Sequence, residues 1–199
     1  MSHRDAPIIS IRGEKVALGP LDRSFIPLQT AWINDFPTTR TLGADAQPRT
    51  EANHERWYDH MTAGNRVTFA VYDLSDMAPV GSIGLFDLDQ RHGTCELGVG
   101  ILEPERRNKG LGTEAVKLIT DHAMRDLGMH NVHLSALAFN DAGLRAYEKA
   151  GFREYGRRRE AWLHNGRRWD IVYMEALASE WPRATTGPAL SPAIDVTGQ

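Results

Sequence analysis

Between Ile101 and Val116 the chain reads ILEPERRNKGLGTEAV. Three cations, Arg106, Arg107 and Lys109, stand with Asn108 and two glycines, Gly110 and Gly112, where an apolar run ends and helix-forming residues begin. Glycine adopts backbone conformations closed to other residues and lets a ligand approach the main chain. A helix start offers unpaired N–H groups and the positive end of a dipole. Thr113 adds a hydroxyl there, for a ligand oxygen or simply as a cap. Together these features describe an anion site suited to phosphate. Spacing excludes two common phosphate patterns. No Lys-Ser or Lys-Thr pair completes a P-loop, and the three-glycine dinucleotide fingerprint is missing.

A second constellation lies downstream in NDAGLRAYEKAGF, residues 140–152. Asn140 and Tyr147 are seven apart, about two helical turns, so both side chains can face one groove. Tyr147 brings a titratable hydroxyl; its alternative is a ring packed beside Leu144 and Phe152. Glu96, in TCELGVG, brings a carboxylate on a strand. Alternation turns its neighbour Cys95 to the other face, where a small buried apolar role is expected. His130 and His133 flank a strand start with no cysteine or acidic cluster nearby, so no metal site is expected.

These groups need a scaffold, and apolar periodicity supplies one of α+β type. Glu14–Leu21 reads as a first strand. A helix follows from Asp22, its N-cap candidate, with Pro27 expected to break or kink it. Phe36–Arg49 reads as a loop and the stretch from Thr50 as a second helix. Three runs, around Val67–Val71, Val80–Leu85 and Cys95–Ile101, form an antiparallel meander. The stripe Ala115, Leu118, Ile119, His122, Ala123, Leu127 defines the clearest helix, ended by Gly128. A buried-type strand, NVHLSALAF, leads to a short helix capped by Asn140 or Asp141 and ended by Gly151. Two last strands meet at Asn165-Gly166, the strongest short hairpin signal.

Composition bounds the rest. The chain has 199 residues, enough for one domain with a sizeable core. A net charge of −3 gives no global reason to expect a nucleic-acid binder, even though Arg157, Arg158, Arg159, Arg167 and Arg168 make the last hairpin basic. One cysteine rules out an intramolecular disulfide and fits a reducing compartment. No apolar run approaches a membrane span and no signal segment is evident, so the cytoplasm is the expected location and no membrane partner is expected. We expect a lead-in over 1–12, a domain over 13–181 and a Pro/Ala-rich tail over 182–199.

The signature Arg107-Asn108-Lys109-Gly110-Leu111-Gly112, with the later block carrying Asn140, Ala142, Tyr147, Gly151 and Phe152, resembles the GNAT superfamily of acetyl-CoA-dependent N-acetyltransferases. Within it the chain is similar to the branch of ribosomal-protein-alanine and spermidine acetyltransferases, over about residues 13–178. Gly143 departs from the pattern, where Ala or Ser is common. The resemblance implies a central, mostly antiparallel twisted sheet of about seven strands flanked by about four helices. It also implies acetyl-CoA as co-substrate, no metal, and a small-molecule or peptide amine as acceptor. Homodimers are frequent among such proteins, and the tail is a segment that could exchange between subunits.

The resemblance assigns roles residue by residue. Tyr147 would protonate the departing thiolate. Glu96 would act as a base through water, or would position the amine. The backbone of Gly100, Ile101 and Leu102 would pair with the pantetheine arm as an added strand does. Residues 106–113, Leu111 among them, would hold the diphosphate. Asn140 and Ala142 would contact the cofactor, and Arg145 would reach a phosphate. The loop from Phe36 to Arg49, Trp57 and Tyr58 of the second helix, and the tip from Trp162 to Trp169 should wall the acceptor pocket. Two other readings stay open: a non-catalytic acetyl-CoA sensor, which would not need Tyr147, and an interaction module built on the basic hairpin.

Overall fold

The computed structural model describes residues 7–43 and 47–182. Most of the expected tail lies outside the described residues. The sheet starts with β1 (Ile11–Arg12), paired antiparallel to β2 (Val16–Pro20). The expected boundary at residue 12 therefore falls inside a hairpin. Its turn is fixed from a distance: the Glu114 carboxylate accepts from the backbone N–H groups of Glu14, Lys15 and Val16 at 2.5, 2.8 and 3.2 Å.

Asp22 caps a 3-10 turn, Arg23–Phe25, by accepting from the Ser24 N–H at 2.8 Å. Helix α1 (Ile26–Asn34) follows directly. Pro27 sits in its first turn, where its missing N–H has no helical partner to lose. It shapes the junction rather than breaking the helix. The stretch read as a loop contains a short helix, α2 (Phe36–Thr39). Helix α3 (Glu51–Thr62) opens on a capping box between Thr50 and Asn53, which satisfies two backbone donors.

The meander forms as expected from β3 (Val67–Asp73), β4 (Ala78–Asp89) and β5 (Thr94–Ile101). Helix α4 (Leu111–Arg125) buries Leu111, Ala115, Ile119 and Ala123, spaced four apart along one face. Strand β6 (Asn131–Leu137) leads to α5 (Asp141–Ala150). β7 (Arg153–His164) and β8 (Arg167–Leu177) close the sheet through Asn165 and Gly166, at φ 50° and 71°. Both turn residues lie in the left-handed region that such a two-residue hairpin demands.

Among the described residues eight strands run in the order β1-β2-β3-β4-β5-β6-β8-β7. Among the described residues, β1 and α2 are the additions to the seven strands and four helices expected. The main core packs α4 and α5 against one sheet face through Leu18, Ile83, Leu85, Ile119, Phe152 and Met174. A smaller cluster around Ala17, Phe25 and Tyr72 supports Trp57 and Tyr58 of α3. All neighbours are antiparallel except β5 and β6, which run parallel and share three pairs, Thr94–Asn131, Cys95–Val132 and Glu96–His133. Beyond Glu96 the two strands part, β5 staying with β4 and β6 with β8.

Candidate active site

The parted strands open a groove whose mouth is a hollow of about 470 Å³ between β5, the start of α4 and one face of α5. Gly110 is the N-cap of α4 at φ 85°, a conformation that favours glycine. Gly112, Thr113, Asn140, Ala142 and Arg145 line the same hollow. The sequence thus places its phosphate-type loop and its second constellation on opposite walls of one groove.

The cations divide differently from the expectation. The Arg106 guanidinium donates to Asp73 at 2.8 Å and also pairs with Asp76. Backbone and side-chain bonds from Ser75, together with Arg106, hold the Asp73 carboxyl below its ordinary range. Arg107 is half-buried. It donates through Nε to the Ile101 carbonyl and through a terminal nitrogen to the Thr38 carbonyl, both at 2.9 Å. The two arginines border the hollow, but their hydrogen bonds tie the loop to the β3–β4 turn, to the end of β5 and to α2. Lys109 is exposed. Lys15, which the sequence reading missed, brings its Nζ to 3.4 Å from where a Cβ on Gly110 would stand. Lys149, one turn beyond Arg145, lines the hollow as well; the four-residue spacing from Arg145 was the available signal.

Asn140 caps α5 by accepting from the Gly143 N–H at 3.0 Å. A Cβ on residue 143 would come within 2.4 Å of the Asn140 amide nitrogen, so the glycine admits a tight cap. Tyr147 borders both this hollow and a second one of about 310 Å³ that contains Glu96, Asp87 and Ser135. Burial pushes its hydroxyl up to about 12, so it stays protonated at neutral pH. Glu96 is half-buried there, while Cys95 is fully buried with its thiol raised to about 11. Among the described residues, no group of His, Cys, Asp and Glu is placed to hold a metal, and no helix is long and apolar enough to cross a membrane.

A third cavity, of about 440 Å³, lies between the β4–β5 face and helices α1 and α3. Trp57 lines it together with His54, Met61, Phe86 and Leu102. Leu42 and Val99 border all three spaces. Tyr58 turns away: its hydroxyl donates to the Leu21 carbonyl at 3.1 Å and its ring joins the smaller core cluster. Trp162 and Trp169 pair across β7–β8. Trp169 packs edge-on to Phe139, with a centroid distance of 5.2 Å, and Trp162 reaches toward Gly43; neither lines the cavity. On β5, Gly100 and Ile101 face the groove, whereas the Leu102 N–H is engaged by the Val80 carbonyl at 2.8 Å. His54 was legible as an i, i+3 neighbour of Trp57. Leu42 and Arg49 fall in the Phe36–Arg49 loop expected to wall the pocket, whereas Phe86 gave no such signal.

Residues 17–153 match the family described as "Acetyltransferase (GNAT) domain". The chain belongs to the GNAT acetyltransferases, acetyl-CoA-dependent acyltransferases that use acetyl-CoA as co-substrate. It is 25% identical over 164 residues to the probable N-acetyltransferase YjcK of Bacillus subtilis, covering 78% of this chain and 90% of that one. It is 28% identical over 102 residues to the spermidine N(1)-acetyltransferase of Vibrio cholerae, covering 51% of this chain and 58% of that enzyme's length. In fold it is similar to the crystal structure of spermidine N-acetyltransferase from Vibrio cholerae in complex with CoA and spermine. The TM-score is 0.76 at 22% identity, covering 84% of this chain and 98% of the other.

Proposed function

We propose that the chain transfers the acetyl group of acetyl-CoA to a primary amine by direct attack in a ternary complex. The observation that carries this reading is that Tyr147 and Glu96 border one hollow where β5 and β6 part. The diphosphate lies against Gly110, Gly112 and the first turn of α4, with Lys109, Lys15 and Arg145 supplying charge. The groove edge at Gly100 and Ile101 receives the pantetheine arm as an added strand.

The amine must be neutral to attack. Glu96 takes its proton, through water, as the nitrogen forms a bond to the acetyl carbon. A backbone N–H of β5 donates to the developing oxyanion. As the carbon–sulfur bond breaks, Tyr147 gives its proton to the departing sulfur and regains one from solvent, to which Glu96 releases the proton it took. The products are an N-acetyl amine and CoA with a free thiol. The acceptor is a small amine held in the cavity between α1, α3 and the β4–β5 face. The spermidine acetyltransferase relatives support an acceptor of that size.

The same reading takes one acetyltransferase domain, expected over 13–181 and including strand β1 just before it, working in the cytoplasm, with a homodimer as its assembly. Acetyl-CoA and CoA at submillimolar concentration should raise the melting temperature, and a screen of amines should release thiol from acetyl-CoA. If neither thioester nor thiol form shifts the melting temperature, the reading fails. Size-exclusion chromatography with light scattering tests the dimer.

A further inference from the structure

The third cavity has a charge layout that restricts what it can hold. Its walls are apolar and aromatic at Ile33, Trp57, Met61, Phe86 and Val99. Among its described lining residues there is no aspartate and no glutamate; the ionised group is Arg49. Burial and the nearby Arg49 lower the affinity of His54 for a proton, which leaves that ring neutral at pH 7. Arg49 is an exposed residue at the cavity's rim whose backbone is held: its N–H donates to the Asn34 side chain, and the Asn34 amide donates back to its carbonyl, both at 2.8 Å. Among the described residues no carboxylate forms an ion pair with it. The carboxylates of the site, Glu96 and Asp87, lie in the adjoining hollow beside Tyr147, where the reacting amine must stand.

From this arrangement we infer that the acceptor is a monoamine with an arylalkyl body whose far end is uncharged or anionic, and that Arg49 acts as a specificity residue against polyamines. The inference rests on the reading of this site as the acceptor pocket. A polyamine bound with one nitrogen at Glu96 and its chain extended into the apolar cavity places a further ammonium group there. There it meets the cation of Arg49 and no described counter-charge. A charge removed from water without a partner is strongly disfavoured. An aromatic body replaces water against Trp57 and Phe86, and an anionic end meets Arg49.

Thiol release from acetyl-CoA is to be measured with 2-phenylethylamine, 4-(2-aminoethyl)benzoate and spermidine, for the native protein, Arg49→Glu and Trp57→Ala. The expected result is a kcat/KM at least about tenfold higher for the two arylalkylamines than for spermidine. Arg49→Glu should lower the rate with the benzoate and raise it with spermidine. Trp57→Ala should raise KM for both arylalkylamines and leave the acetyl-CoA-induced thermal shift unchanged. A higher kcat/KM for spermidine, or no turnover of either arylalkylamine by protein that binds acetyl-CoA, overturns the inference. Absence of any acetyl-CoA thermal shift overturns instead the acetyltransfer reading on which it rests.

Discussion

Arg106 and Asp73 face each other at 2.8 Å across the gap between the phosphate-type loop and the β3–β4 turn. Position 106 thus fixes the loop to the sheet. We expect Arg106→Ala to raise KM for acetyl-CoA while kcat changes less than twofold or so, since the reacting groups are untouched. Asp73→Asn should do the same. The double variant should be no worse than either single one, because both remove one interaction. Steady-state kinetics over acetyl-CoA concentration checks all three. The carboxyl of Asp73 is held low, so its contribution to stability is present above the unfolded carboxylate range, about pH 4, and is lost as pH falls through its folded value.

Tyr147→Phe removes a hydroxyl and keeps the ring against Phe152, 6.4 Å away between centroids. On the proposed mechanism kcat falls about a hundredfold, with KM for acetyl-CoA nearly unchanged. Because the hydroxyl titrates near 12, the native pH–rate profile should show no falling limb from it below pH ~11. Full activity in the Phe variant would remove the acid role.

His54 gives a stability prediction of opposite direction to an ion-paired histidine. Its folded pKa is lowered from the ordinary 6.5, so the unfolded chain binds the extra proton first. Its contribution is complete above about pH 6.5 and declines as pH falls below that. Chemical denaturation between pH 5 and 8 should show that slope, and His54→Gln should flatten it.

Gly81 offers a test of how closely β4 and β5 approach. A Cβ there would lie 1.8 Å from the Gly100 carbonyl oxygen, which is backbone and cannot swing aside. Gly81→Ala should cost ~2–3 kcal/mol by forcing the strands apart. Since Gly100 borders the groove, acetyl-CoA affinity should fall with stability, measured by urea unfolding and a thermal shift.

Local signals in the chain foretold the elements but not all the partners. Asn165-Gly166, Thr50, Asn140 and Gly151 marked their turns and caps because those features depend on a few adjacent residues. Gly110 and Gly112 marked the loop for the same reason. Arg106 and Asp73 are thirty-three residues apart in the chain, and Glu114 is about a hundred from the turn it holds. No periodicity encodes such pairings. Tyr58 was misplaced because an exposed-looking helix residue next to Trp57 shares its composition and not its direction; one position around a helix is about 100°. Phe86 became visible as a cavity wall only when the meander and helices α1 and α3 were brought together.

The three pairs joining β5 to β6 leave the sheet as two plates, β1 to β5 and β6 to β8, sharing a short seam. A pantetheine arm laid along the open edge would act as a splint across that seam. On the proposed reading the chain would be softest along that seam when empty, and its co-substrate would join the backbone architecture for as long as the reaction lasts. Backbone amides of residues 97–101 should therefore exchange with solvent deuterium more slowly in the presence of CoA, even where no side chain moves.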